Sequence, residues 1–382
     1  MATHLAAAFV AKGEPLELQT RPTPKPGPGE LLIDVKSVAL NPADGIMRET
    51  GLFIPAYPTV AGFDIAGLVI EVGDNVPVDA TDEVSGPVFR PGITRVAAYA
   101  ASVMKACDPD YGAFQERCLL PWQHAVPLPD TGISWNHAAT LPVAVEVALN
   151  AWDTLGIPRA GEAAAICADS GEGSQKNKKQ KRDVLLIWGA SSSLGTMGVQ
   201  TARLLREDAA SSVAAVYATA GAANHEYVGS LGANRVFDYK ELQVVDAIIS
   251  AAREDGLAIR HCFLATGKLA PCQAVLKAFL GGDQRGEDQK AKIGSAPIIP
   301  PDAEEVDGVE TIFVVPPTDE MERLAHFRHC MGMWLRENLA NRAIRPSPEP
   351  MVVGKGLGAI NSGVDMIARG VSCTKLVVEV AE

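Results

Sequence analysis

Over the first 130 residues, short apolar runs alternate with turn residues rich in Pro and Gly. Residues 31–38 (LLIDVKSV) and 67–72 (GLVIEV) are β-type runs bounded by such turns, which predicts a mostly β module. From Ala138 the pattern changes. Longer helical stretches now separate apolar runs at 184–188, 213–218, 235–237, 261–264 and 311–315, an alternation that predicts a parallel sheet with crossover helices. Residues 320–340 read as one long amphipathic helix, and 375–380 (KLVVEV) as a closing strand. Two polar stretches read as exposed loops: 168–182 (ADSGEGSQKNKKQKR), with five Lys/Arg within seven residues, and 281–301. The basic run is taken as solvated rather than as a nucleic-acid or targeting element.

At 382 residues, 47% hydrophobic and 21% charged, the chain is globular in type and long enough for two domains. A net charge of -12 and a pI near 5.1 repel polyanions, and no Lys/Arg stripe overrides that sign, so nucleic acid is excluded as a partner. The longest apolar stretches, such as 143–149, fall far short of the roughly 20 residues that cross a bilayer. The start MATHLAAAFVAKGEPLEL lacks a basic leader region. The expectation is a cytoplasmic protein, neither secreted nor membrane-spanning. Seven cysteines (107, 118, 167, 262, 272, 330, 373) are scattered singly and read as reduced thiols, not as a disulfide framework or zinc clip.

Chemistry enters at 183–205, DVLLIWGASSSLGTMGVQTARLL. A strand runs into a turn of small residues and then a helix expected from about Thr196 to Leu205. Dinucleotide sites use that order, because the pyrophosphate sits on the unpaired N–H groups of a helix N-terminus. Candidate contacts are Ala190, Ser191, Ser192, Ser193 and Leu194. The strict G-x-G-x-x-G spacing is not met: with its last glycine at Gly195, Ala190 and Ser192 hold the other two places. The next strand, VAAVYAT, ends at Thr219, and no acid follows before Glu226. A carboxylate there would hold a ribose 2′-OH; without one, NADPH is favoured over NADH.

Further segments share one resemblance: Asn41, Pro42, Ala43 and Asp44; PTVAGFDIAGLVIEVG at 58–73; DEVSG at 82–86; GAFQE at 112–116; AATLP at 138–142; LGAN at 231–234 with Asp238 and Tyr239; and GVS at 370–372. In this order they resemble the zinc-independent, quinone-oxidoreductase-like medium-chain dehydrogenase/reductases over nearly the whole chain. Within that family the chain looks similar to fungal trans-acting enoyl reductases and to zinc-binding-named oxidoreductases of secondary-metabolite clusters. The resemblance implies an α/β fold with a GroES-like, mostly β catalytic domain (1–149 and 317–382) and a doubly wound Rossmann domain (150–316). It implies that Asn41, Pro42, Ala43, Asp44, Val371 and Ser372 approach the nicotinamide. Gly221, Ala222, Ala223, Asn224 and Tyr239 would meet the 2′-phosphate end. Leu141, Pro142, Val143, Ala144, Val145, Glu146 and Val147 would line the substrate cleft. It further implies a small-molecule or carrier-tethered acyl substrate, a polyketide synthase as partner, and a monomer or homodimer.

The chain also departs from its relatives. Where they often carry Ser-Pro-Lys/His-Asn, Gly221, Ala222, Ala223 and Asn224 remove a phosphate-binding hydroxyl and a cation. Ile46 stands where relatives tend to carry Lys, and Phe53 where one branch carries Tyr, so no proton donor transfers by analogy. Tyr57, Tyr111 or a water remain as candidates. A zinc centre would need thiolate and imidazole ligands. Asn41 stands for the cysteine, Gly62, Phe63 and Asp64 for Gly-His-Glu, and the four-cysteine lobe is missing, so no metal is expected. Without a Lewis acid to hold an alkoxide, reduction of an activated C=C is the favoured chemistry. Quinone or alkenal reduction, and NADPH binding without turnover, are the alternatives.

Overall fold

The computed structural model describes residues 2–79, 86–129, 132–159, 181–281 and 290–380. Residues 168–180 of the basic loop, 82–85 of the DEVSG segment and 282–289 of the second polar stretch lie outside them. The chain divides into two compact units, Met1–Glu146 with Pro317–Glu382, and Val147–Pro316. No helix among the described residues is long and apolar enough to cross a membrane.

The first unit opens with β1 (Thr3–Ala8) antiparallel to β2 (Glu17–Pro22). Next come β3 (Glu30–Ala39), α1 (Pro42–Thr50), β4 (Asp64–Val72), β5 (Arg95–Tyr99), β6 (Arg117–Pro121), β7 (Ala125–Pro127), the short α2 (Trp135–Ala139) and α3 (Pro142–Leu155). α3 belongs to this unit as far as Glu146. β3 is buried along most of its length and is paired on both edges.

The second unit holds β8 (Asp183–Trp188), α4 (Ser193–Glu207), β9 (Val213–Thr219), α5 (His225–Ser230), β10 (Arg235–Phe237), α6 (Val244–Glu254), β11 (Ala258–Leu264), α7 (Leu269–Lys277), β12 (Ala291–Ser295) and β13 (Val309–Phe313). All its ladders are parallel, in the order β10-β9-β8-β11-β12-β13. This is the doubly wound Rossmann order. On one face Val184, Leu186 and Leu264 pack with Ile248 of α6 and Val275 of α7. On the other, Trp152 of α3 meets Phe263 edge-on and donates from Nε1 to Thr201 Oγ1 at 2.9 Å.

Returning to the first unit, the chain forms α8 (Glu320–Phe327), a π-helical stretch (Arg328–Leu335), α9 (Arg336–Ala340), β14 (Pro350–Lys355), α10 (Ile360–Arg369) and β15 (Lys375–Glu379). Its seven-stranded sheet runs β14-β15-β3-β4-β5-β7, with β6 also on β3. The GroES-like and Rossmann architectures are therefore both present.

Two expectations need correction. The stretch 281–301 is not loop throughout, since 291–295 form β12, buried between β11 and β13. AKIGS carries one large apolar side chain, so pairing on both edges makes it a strand, not its own pattern. The helix expected at 320–340 is three consecutive segments with a π-wound centre. Apolar spacing does not distinguish that winding from an α-helix.

Candidate active site

In the first unit the expected nicotinamide segment begins where β3 ends. Asn41 is the N-cap of α1, and Pro42 opens the helix, where its missing N–H costs nothing. The Asn41 amide donates to Asp44 Oδ2 at 2.6 Å, as in a capping box. Asp44 is fully buried, and its other oxygen has no hydrogen-bond partner among the described residues. Burial pushes its carboxyl up to about 7, with the Asn41 amide and Lys375 opposing and Asp64 adding to the rise.

The Asn41 side chain is bound at both ends. Its Nδ2 donates to Asp64 Oδ2 at 2.9 Å, and its Oδ1 accepts from Lys375 Nζ at 2.6 Å. Lys375 also pairs with Asp64 Oδ2 at 3.0 Å, both side chains being almost wholly buried. The remaining Asp64 oxygen accepts the Val143 amide at 2.8 Å, at the start of α3. One carboxylate thus ties together the ends of β3 and β15 and the first turn of the helix carrying residues 142–147. Sheet pairing delivers Lys375 to this point: Leu40 N bonds Leu376 O at 2.9 Å, and β15 runs antiparallel to β3.

Sequence reasoning noted Asp64 only as a replaced ligand and missed Lys375. A lysine opening a C-terminal strand has no signal separating it from a surface lysine. Where a metal centre would need thiolate and imidazole, this site has an amide, the Phe63 ring and an ammonium. No group of three His, Cys, Asp or Glu suited to a metal occurs among the described residues.

Of residues 141–147, Val143 and Val147 are half-buried and the rest are buried. Glu146 accepts from His326 Nε2, or is bridged to it, at 2.9 Å in the interior. Val371 and Ser372 are exposed, in the turn before β15. Of the tyrosines, Tyr111 donates to Glu30 Oε1 at 2.5 Å, and burial together with Glu30 raises its pKa above the ordinary phenol value. Its hydroxyl is committed to the start of β3. Tyr57 Oη is buried without a hydrogen-bond partner among the described residues.

In the second unit β8 feeds the turn of Ala190, Ser191 and Ser192, while Ser193 and Leu194, expected in that turn, already form the first turn of α4. Gly189 takes φ 79°, open only to glycine without strain. At Gly195 a Cβ would fall 2.2 Å from Gly189 O, and at Gly198 one would fall 2.8 Å from Phe263 Cδ1. Gly189 thus makes the tight bend, Gly195 packs on its backbone and Gly198 lets the helix lie against the sheet, a spacing that the G-x-G-x-x-G pattern does not find. Ser192 caps α4 by accepting the Gly195 amide at 3.0 Å. The end of β9 holds the turn from the side: Thr219 Oγ1 accepts from Gly189 N at 3.0 Å, and Thr219 O from Ala190 N at 2.8 Å. Ser193 Oγ is buried with no hydrogen-bond partner among the described residues. That orphaned hydroxyl, beside first-turn amides lacking intrahelical partners, fits an anionic ligand. Gly221, Ala222, Ala223 and Asn224 form the turn after β9, with Tyr239 beside Gly221.

The buried Asp44 sets a pH prediction. Between the ordinary carboxylate range near 4 and its folded value of about 7, the folded chain keeps a proton that the unfolded chain releases. Stability should fall as pH rises through that window, by on the order of 1 kcal/mol per unit, then level off. Asp44→Asn keeps an acceptor for the Asn41 amide and removes the titration. Urea denaturation at pH 5 and pH 8 should show the fall in the parent and its loss in the variant; equal slopes would refute it.

Comparison with known proteins gives the same picture. The family model for the alcohol dehydrogenase GroES-like domain matches residues 27–130. The chain is 37% identical to trans-enoyl reductase tndF of Aspergillus flavipes, covering 98% of each chain. It is 38% identical to trans-enoyl reductase tazE of Aspergillus terreus, over 84% of this chain and 95% of that one. An alcohol dehydrogenase superfamily protein from Novosphingobium aromaticivorans superposes with a TM-score of 0.70 at 20% identity, covering 99% of both. From the paired GroES-like and Rossmann units and these full-length relatives, the chain belongs to the medium-chain dehydrogenase/reductase superfamily, with fungal trans-enoyl reductases among its relatives.

Proposed function

We propose that this oxidoreductase is an NADPH-dependent, zinc-independent reductase of an activated carbon–carbon double bond. Its substrate would be an enoyl thioester tethered to a polyketide synthase carrier, in the cytoplasm. The observation that carries this reading is the donor set at the end of β3, where Asn41, Asp64 and Lys375 satisfy one another. Such a centre offers no Lewis acid to hold an alkoxide. A conjugated thioester is already electrophilic and needs chiefly orientation and polarisation of its carbonyl. The names of the two Aspergillus relatives favour the same substrate class.

When bound, the nicotinamide supplies the hydride. The chain's own part is to place it. The first-turn amides of α4 and the Ser193 hydroxyl would take the pyrophosphate, in the turn that Thr219 fixes. Gly221, Ala222, Ala223, Asn224 and Tyr239 would take the 2′-phosphate end. Asn41, Pro42, Ala43, Asp44, Val371 and Ser372 would face the nicotinamide, and residues 141–147 the acyl chain. The Asp64 network would keep Asn41 and the start of α3 in register for that task.

Purified protein with NADPH and NADH should be screened against a crotonyl-pantetheine thioester, a quinone, an alkenal and an alcohol. NADPH oxidation with the thioester and little with the others is expected. Quinone turnover without thioester turnover would move the assignment to a quinone reductase. Alcohol oxidation requiring added zinc would overturn it.

A further inference from the structure

The turn after β9 lacks the hydroxyl and cation that relatives place there, and no acid follows Thr219 before Glu226. A 2′-phosphate needs a cation from elsewhere. The turn after β10 abuts this one. Asp238 clasps them together, accepting the Ala222 amide on Oδ2 at 3.0 Å and the Lys240 amide on Oδ1 at 2.9 Å. As a result Tyr239 and Lys240 flank Gly221: from an ideal Cβ position there, Tyr239 Cε1 is 3.9 Å away and Lys240 Nζ is 4.0 Å.

The Lys240 ammonium stands 5.8 Å from the Tyr239 ring centroid and makes no ion pair or side-chain hydrogen bond among the described residues. Asp238 lies close enough that the Lys240 amide and then the Lys240 charge help hold its carboxyl below the usual range, and Glu241 follows in the same turn. Asp238 uses both oxygens on backbone amides, and His225 Nε2 bonds Ala220 O at 3.0 Å. We infer that Lys240 is the specificity-determining cation for the 2′-phosphate of NADPH, supplied by the turn after β10 in place of the missing cation at 221–224. Gly221, having no side chain, leaves free the space that a Cβ in contact with Tyr239 and Lys240 would fill. The Tyr239 ring holds the ammonium beside that space. Of the two carboxylates on this turn, Asp238 and Glu241, Asp238 accepts one backbone amide on each oxygen.

This inference rests on the NADPH reading, and one titration separates their failures. Dissociation constants for NADPH and NADH are measured by fluorescence on the full chain, as the parent, K240M and K240R, at low and high salt. The parent should bind NADPH more tightly than NADH. K240M should weaken NADPH by about 10- to 100-fold, the range of one charge-assisted contact, and leave NADH unchanged. K240R should restore most of the preference, and added salt should shrink it in the parent more than in K240M. Since Lys240 is exposed, unchanged NADH binding also reports an intact fold. If the parent prefers NADPH and K240M keeps that preference, the role of Lys240 is overturned while the NADPH reading stands. If the parent binds both equally or prefers NADH, both fall.

Discussion

Replacing Asp64 with asparagine is expected to cost about 3–5 kcal/mol of folding stability, because it strands a buried ammonium. Lys375 is almost wholly buried, and its other described partner is the neutral Asn41 oxygen. The same change weakens the acceptor for the Val143 amide. Urea denaturation of the parent, D64N, K375M and the double variant tests this. The double variant should lose less than the sum of the singles, since removing both charges leaves no uncompensated ion. A D64N cost under about 1 kcal/mol, the value of an exposed pair, would show that the network is not what holds β3, β15 and α3 together. Turnover should fall in D64N even below its melting range, because Asn41 and the start of α3 lose their shared anchor.

The second large effect is expected at Gly195. An alanine there would place its Cβ 2.2 Å from Gly189 O and 2.6 Å from Ala190 Cα, both backbone atoms that cannot swing aside. The turn must open, costing roughly 1–3 kcal/mol as overpacking does. The first-turn amides and Ser193 Oγ then lose their common focus. NADPH affinity should drop by at least about 100-fold, the equivalent of two lost contacts to a charged group. Gly229, in α5, is the control: a Cβ there meets nothing within 4 Å, so Gly229→Ala should leave binding unchanged and stability equal or slightly raised. Nucleotide titration and thermal melts of both variants decide. Parent-like binding by G195A would remove the nucleotide site from this turn.

Both effects concern residues whose importance the chain displays unequally. Gly195 stands within a strand–turn–helix of small residues, so its neighbourhood announced itself, although the glycine spacing matched no strict pattern. Gly198 passed unnoticed because a glycine inside a helix says nothing until Phe263 is packed on it. Asp64 was visible as a departure from metal-ligand chemistry, and its partner Lys375, 311 positions later in the chain, was not. Lys240 likewise reads as an exposed lysine until the Asp238 clasp sets it beside Gly221. Tyr111 looked available as an acid until Glu30 took its hydroxyl.

By itself the sequence determined the alternation of elements, the parallel sheet of the second unit and the β-rich character of the first. It also determined the strand–turn–helix of small residues at 183–205 and the presence of Asn41 and Phe63 where a zinc centre would have Cys and His. Each of these depends on residues near one another in the chain, where periodicity and turn chemistry act locally. Only the tertiary structure decided that 291–295 become a strand, that Lys375 neutralises Asp64 under Asn41, and that Asp44 is buried deeply enough to keep its proton to about pH 7. Those outcomes depend on pairing and desolvation by segments far apart in sequence, and a side chain's charge and burial are set by what surrounds it in space.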